Sequence, residues 1–204
     1  MTESAGRKIN VRCITNRHLA VQDYDMQIAE IAAARPEAII VREKDLTEPE
    51  YEQLAKRVMD ICAQYGVSCI LHNFVGAALR LGAEAVHLPM YKLLALTRQE
   101  KAGFSVIGAS VHSLEEALEA QKAGAAYLTA SHIYATDCKK GASPRGIPFL
   151  QEVCAKASIP VYALGGICAA NAPSCIQAGA AGVCIMSECM KHADVKQVLQ
   201  KYTL

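Results

Sequence analysis

Eight short apolar runs, separated by stretches with helical spacing, recur from one end of the 204-residue chain to the other. They are Val11–Thr15, Ala38–Arg42, Ser68–Asn73, Ala85–Leu88, Ser105–Val111, Ala125–Ser131, Ile159–Leu164 and Gly182–Ser187. Several are apolar throughout, the pattern of strands covered on both faces. Between them, Thr47–Tyr65, Ser113–Lys122, Asn171–Ala178 and Glu188–Tyr202 read as helices, and Leu54, Val58, Ile61 and Cys62 share one face of the first. Ser113 with Glu116 predicts a capping box. A weak repeat begins at Leu81-Gly82, Ala123-Gly124 and Ala178-Gly179, where a left-handed glycine ends a helix before the next strand. Eight such units, at roughly 25 residues each, predict an α/β fold: a single-domain (β/α)8 TIM barrel. A doubly wound sheet would usually carry a glycine-rich nucleotide turn after its first strand, where Thr15-Asn-Arg-His18 stands instead. The barrel is expected to span 1–204, with residues 1–8 as a flexible N-terminal tail.

Composition narrows the function classes. Lys+Arg 21 against Asp+Glu 20 gives a net charge of +1, no field to draw in nucleic acid or an anionic membrane. Hydrophobic residues at 52% supply a sizeable core and exclude disorder. No apolar run reaches the roughly 18 residues of a membrane span, and the first residues lack a secretory pattern. The expectation is a cytoplasmic protein; whether copies associate as a homo-oligomer is left open. The nine cysteines show no C-x2-C spacing and sit mostly in apolar contexts, so free, mostly buried thiols are expected, with Cys138 the exception in a polar loop.

Active sites of barrels lie at the C-terminal strand ends. Gly165-Gly166 and Met186-Ser187 close the last two strands, where backbone N–H groups can hold a phosphate. Arg42 and Lys44 end the second strand on alternate positions, two cations suited to a carboxylate or phosphate unless Glu43 or Asp45 pairs with them. The stretch from His132 to Gly146 has no obvious element and carries Lys139, Lys140 and Arg145, which suggests a mobile cationic lid. His18 and His192 read as surface residues, while His72, His87 and His112 suit hydrogen bonding at strand ends. His132 opens the long loop and is the acid/base candidate near neutral pH.

As an ordered set, Ile14-Thr15, Val41-Arg-Glu-Lys44, Asn73, Val86-His-Leu88, Ile107-Gly-Ala-Ser-Val-His-Ser113, Thr136–Lys139, Ala163-Leu-Gly-Gly-Ile167 and Ile185-Met-Ser187 resemble the thiamine phosphate synthase superfamily. That resemblance implies a (β/α)8 barrel acting on phosphorylated thiazoles. Coupling enzymes of the superfamily carry Asn-Asp after the third strand and an acidic residue after the fourth, which together bind magnesium. This chain has Asn73-Phe74 and Leu88-Pro-Met-Tyr-Lys92 there, and Ile40 replaces a glutamine of the pattern.

Ser131-His132 followed by Thr136-Asp-Cys-Lys-Lys-Gly141 looks instead like the thiazole tautomerase branch, although Ser131 stands where that branch more often has glycine. The resemblance therefore implies a cofactor-free isomerase of thiamine biosynthesis, with no metal, that aromatises a carboxythiazole phosphate by proton transfer. His132 is its catalytic residue. Arg42, Lys44, Asn73, Ser110, Thr136, Asp137, Cys138, Lys139, Gly165, Gly166, Met186 and Ser187 are its substrate-binding set. The alternatives are a thiamine phosphate synthase, joining hydroxymethylpyrimidine diphosphate to thiazole phosphate, and a non-catalytic paralogue that binds such phosphates.

Overall fold

A computed structural model describes residues 7–136, 141 and 143–204. Its eight parallel strands close in sequence order into a barrel. They are β1 (Val11–Ile14), β2 (Ala38–Val41), β3 (Ser68–His72), β4 (Ala85–Pro89), β5 (Val106–Val111), β6 (Tyr127–Ser131), β7 (Val161–Leu164) and β8 (Gly182–Ile185). Outside them run α1 (Tyr24–Ala33), α2 (Glu48–Tyr65), α3 (Val75–Arg80), α4 (Met90–Ala95) and α5 (Arg98–Ala102). The ring continues with α6 (Leu114–Lys122), α7 (Gly146–Lys156), α8 (Ala172–Gln177), α9 (Ser187–Met190) and α10 (Val195–Gln200). Each apolar run of the sequence contains a strand, because such a run can bury both of its faces only between a barrel interior and a helix layer. Of the expected tail, residues 1–6 lie outside the described residues. Lys8 bridges to Thr203, and the Leu204 amide donates to the Arg7 carbonyl at 2.9 Å.

Alternation along the strands separates two cores. Alternate strand positions send Ile39, Val41, Leu71, Val86, Leu88, Leu128 and Val183 into the layer between sheet and helices, where Ile28 of α1 meets them. The other set, Ile14, Ala38, Ile40, Ile70, Ala85, Tyr127, Tyr162 and Cys184, fills the barrel itself. Tyr127 stands where a Cβ on Gly108 would be, so the small residue on β5 makes room for the ring from β6. Arg12 shares this interior. Its guanidinium donates to Glu37 and to the Tyr162 hydroxyl at 2.8 Å each and lies 4.1 and 3.7 Å from the Tyr127 and Tyr162 ring centres. Above it, His87 bonds Tyr127 through Nδ1 at 2.9 Å and Ser110 through Nε2 at 2.8 Å.

Two expected elements differ. The helix expected over Glu188–Tyr202 is two helices, α9 and α10, with a break at residues 191–194. The buried Gln27 amide donates to the carbonyls of Cys189 and His192 at 2.8 and 2.9 Å, replacing helix bonds, and Asp194 caps the new start at Gln197 N. At α6, Ser113 accepts from the Glu116 amide as expected, but Glu116 returns its carboxylate to the His112 amide at 2.6 Å rather than to the cap. The repeat glycines do take positive φ: Gly82 64°, Gly124 97° and Gly179 100°. The eight described cysteines are free. No helix among the described residues is long and apolar enough to cross a membrane.

Candidate active site at the barrel mouth

A cleft of about 330 Å³ opens at the C-terminal ends of β2, β6, β7 and β8. It gathers Arg42, Lys44, His132, Thr136, Gly165, Gly166, Met186 and Ser187 from the expected set, Ser131 from the polar strand ends, and Cys184 and Glu188, which sequence reasoning missed. Asn73 and Ser110 do not line it. The Asn73 backbone is at φ 73° on the far rim, and Ser110 is bonded to His87 inside the barrel. Asp137, Cys138 and Lys139 lie outside the described residues, as does Lys140 of the expected lid. Cys184 and Ser131 precede recognised positions on their strands by two and one, so strand alternation was the signal that could have found Cys184. Burial pushes its thiol up to about 12, which keeps it protonated.

The carboxylates beside Arg42 and Lys44, which follow β2, are engaged elsewhere. Glu43, only 3% exposed, accepts from Thr15 Oγ1 at 2.8 Å and from the Arg17 backbone amide and guanidinium. Asp45 takes Arg17 and His18, and the Arg17 and His18 bonds hold its carboxyl well below the usual range. The two carboxylates expected to compete for Arg42 and Lys44 thus bind the segment after β1, while Arg42 and Lys44 line the cleft. Thr15 completes the clamp by accepting from the Arg42 amide at 3.0 Å.

Across the cleft, the glycine pair is a seat for the loop that carries His132. Gly165 and Gly166 take φ 101° and 65°. A Cβ on Gly165 would collide with His132, and one on Gly166 with the Ala135 carbonyl and Tyr134. Ile133 N and Tyr134 N donate to the Leu164 and Gly165 carbonyls at 3.0 and 2.9 Å, and Asn171 Nδ2 holds the Gly166 carbonyl. The far end of the loop returns to the same place, with Arg145 N on the His132 carbonyl at 2.9 Å. His132 is consequently 5% exposed and sits at the wall of the cleft.

The rim at β3 and β4 has a different character. His72 stacks on His87 at 5.9 Å, and burial, His87 and the cations Arg42, Lys44 and Lys92 hold it well below the usual histidine range. His87 is pushed down to about 3 by burial and by Arg12. His112 bonds Ser131 through its carbonyl and hydroxyl. Phe74, at the position where the coupling pattern has a magnesium carboxylate, packs on Tyr51 with ring centres 4.6 Å apart. The Lys92 ammonium donates to the Asn73 carbonyl at 2.8 Å. A divalent ion needs several hard oxygens, and an ammonium on the one carbonyl repels it. Among the described residues no three His, Cys, Asp or Glu side chains cluster as a metal site. These residues do not fit magnesium.

A closed (β/α)8 barrel with a cleft between β2 cations and the turns after β7 and β8 is the class that fold and site define. The model of the thiamine monophosphate synthase family matches residues 11–189, and the chain belongs to that family. It is 36% identical over 160 residues to a thiamine-phosphate synthase of Bacillus velezensis, covering 78% of this chain and 71% of that one. It is 32% identical over 194 residues to a thiamine-phosphate synthase of Pyrococcus abyssi, covering 95% and 93%. Among solved structures, the thiamine phosphate pyrophosphorylase of Pyrococcus furiosus superposes with a TM-score of 0.82 at 29% identity, covering 96% and 94%. A 3-hexulose-6-phosphate synthase, 14% identical with a TM-score of 0.72, shares the fold alone. The expected thiazole tautomerase, an isomerase, is corrected by these relatives: they are named for the synthase reaction, a transfer.

Proposed function

We propose that the chain is a thiamine phosphate synthase, joining a pyrimidine carried as its diphosphate to a thiazole phosphate with release of pyrophosphate. The observation that carries this reading is a single cleft lined both by Arg42 and Lys44, after β2, and by the Gly165-Gly166 and Met186-Ser187 turns. Two anionic substrates need two separate anchors, a fixed distance apart, so that their reacting carbons and nitrogens meet. The names of the relatives support the same choice of substrates.

In this reading the thiazole phosphate rests on the backbone amides after β7 and β8, where α9 starts. Arg42 and Lys44 hold the diphosphate. The bond between the pyrimidine methylene carbon and the diphosphate oxygen breaks, and its electron pair leaves with pyrophosphate. Arg42 and Lys44 oppose the charge that develops on that oxygen inside a site with restricted water. The thiazole nitrogen supplies the lone pair for the new carbon–nitrogen bond, so no proton has to move. His132 and Thr136 are then walls that orient the rings, and His132 has no acid/base duty.

The test is incubation of the chain with both substrates, with product and pyrophosphate measured together. Equal amounts of thiamine phosphate and pyrophosphate are expected, with Arg42→Gln losing most of the rate. Absence of thiamine phosphate under every buffer condition would overturn the reading.

A further inference from the structure

Lys92 lies in the first turn of α4, directly after β4, at the barrel mouth. Its Nζ donates to the Asn73 carbonyl at 2.8 Å and lies 5.6 Å from the centre of the Phe74 ring. That carbonyl is aimed by the loop itself, since Asn73 has φ 73° and its amide donates to the His87 carbonyl at 3.1 Å. One of three ammonium protons is engaged by Asn73, leaving two donors for a ligand. The register brings the other cations alongside: Val41 pairs with Leu71 and His72 with His87, so Arg42 ends the strand next to His72, between β1 and the Lys92 rim. Arg42 and Lys44 line the cleft, and Lys92 lies on the neighbouring β3–β4 rim, close enough to His72 for all three to act on it. Glu43, the nearest carboxylate in sequence, is turned away into Thr15 and Arg17.

We propose that Lys92 is a binding residue for the diphosphate of the pyrimidine substrate and takes the place of a divalent cation there. The inference rests on the synthase reading and adds to it that coupling needs no magnesium. A diphosphate ester carries several negative charges at neutral pH, and three side-chain cations offset them without metal. When the carbon–oxygen bond breaks, both electrons go to the departing pyrophosphate oxygen, and Lys92 with Arg42 and Lys44 takes up the added charge. The thiazole nitrogen forms the replacing bond, so atoms and electrons balance without a further reactant.

The experiment is calorimetric titration of the full chain with pyrophosphate, in chelator and in excess magnesium, beside Lys92→Gln and Lys92→Arg. Gln keeps a donor for the Asn73 carbonyl but no charge. Wild type is expected to bind in chelator, with no gain from magnesium. Lys92→Gln is expected to bind about tenfold or more weakly, and Lys92→Arg to keep most of the affinity, with unchanged melting temperatures. Equal binding by Lys92→Gln and wild type overturns the inference, as does binding only with magnesium. Coupling is assayed in the same buffers. Magnesium-dependent coupling overturns the inference while supporting the synthase reading. Lys92-dependent pyrophosphate binding without coupling in either buffer supports the anion seat and overturns the synthase reading.

Discussion

His87 is an uncharged histidine because β4 turns it into the barrel. It is 3% exposed, bonded to Tyr127 and Ser110, and faces Arg12 below. Burial and Arg12 push its pKa down to about 3 from an ordinary 6.5. Below pH 6.5 the unfolded chain takes up a proton that the folded chain refuses, so stability falls as pH drops towards 3. The slope contributed by this residue is at most about 1.4 kcal/mol per pH unit. Unfolding by urea at pH 7 and pH 4.5 is expected to show a smaller acid loss for His87→Gln than for wild type. The carboxylate contributions are common to both proteins and cancel in the comparison. An equal loss would show that His87 titrates normally. The histidine was legible as a strand-end hydrogen-bonding residue, but Arg12 beneath it was not, because nothing in Val11-Arg12-Cys13 announces a guanidinium inside a barrel.

Helices were legible where a cap residue preceded a periodic run, and least where tertiary partners interrupt one. Thr97 caps α5 through the Glu100 amide while Glu100 returns to the Thr97 amide, a local device readable from Thr-x-x-Glu alone. The break between α9 and α10 has no such local sign. It is held by Gln27, 162 and 165 residues away from the carbonyls it binds. Gln27→Leu leaves those two carbonyls without their donor in a buried place. The expected loss is about 2–4 kcal/mol in denaturant unfolding, from one to two orphaned acceptors. Because α9 starts at Ser187, the same variant is expected to weaken ligand binding at that end of the cleft. A variant as stable as wild type would mean the break is set by Asp194 alone.

Taken whole, the molecule gathers Arg42 and Lys44 and the turns after β7 and β8 around one mouth. Crystals soaked in orthophosphate are expected to show the ion within hydrogen-bond reach of the amides of Gly165, Gly166 or Ser187. Phosphate found only beside Arg42 and Lys44 would assign the glycine pair a purely structural role, that of seating His132 and Ala135. Similarity over the whole chain points elsewhere than the one loop. The segment from His132 to Gly141 resembles an isomerase pattern, yet similarity over 194 residues runs to synthases. A loop records one wall of a cleft, whereas the barrel-wide match covers every strand end.

The barrel could be read from the chain because its cause is local: alternation of apolar strands and capped helices is imposed on every residue by its immediate backbone geometry. So could Arg42, Lys44, His132 and the two turns, since strand ends are where such a barrel exposes polar groups. Other features depended on contacts between distant segments. These are the diversion of Glu43 and Asp45 to Arg17, the seat of His132 on Gly165, the removal of Asn73 and Ser110 from the cleft, and Lys92 against the Asn73 carbonyl. Period and capping are set within a few residues, but the charge and shape of the mouth are set by eight strand ends brought together only when the sheet closes.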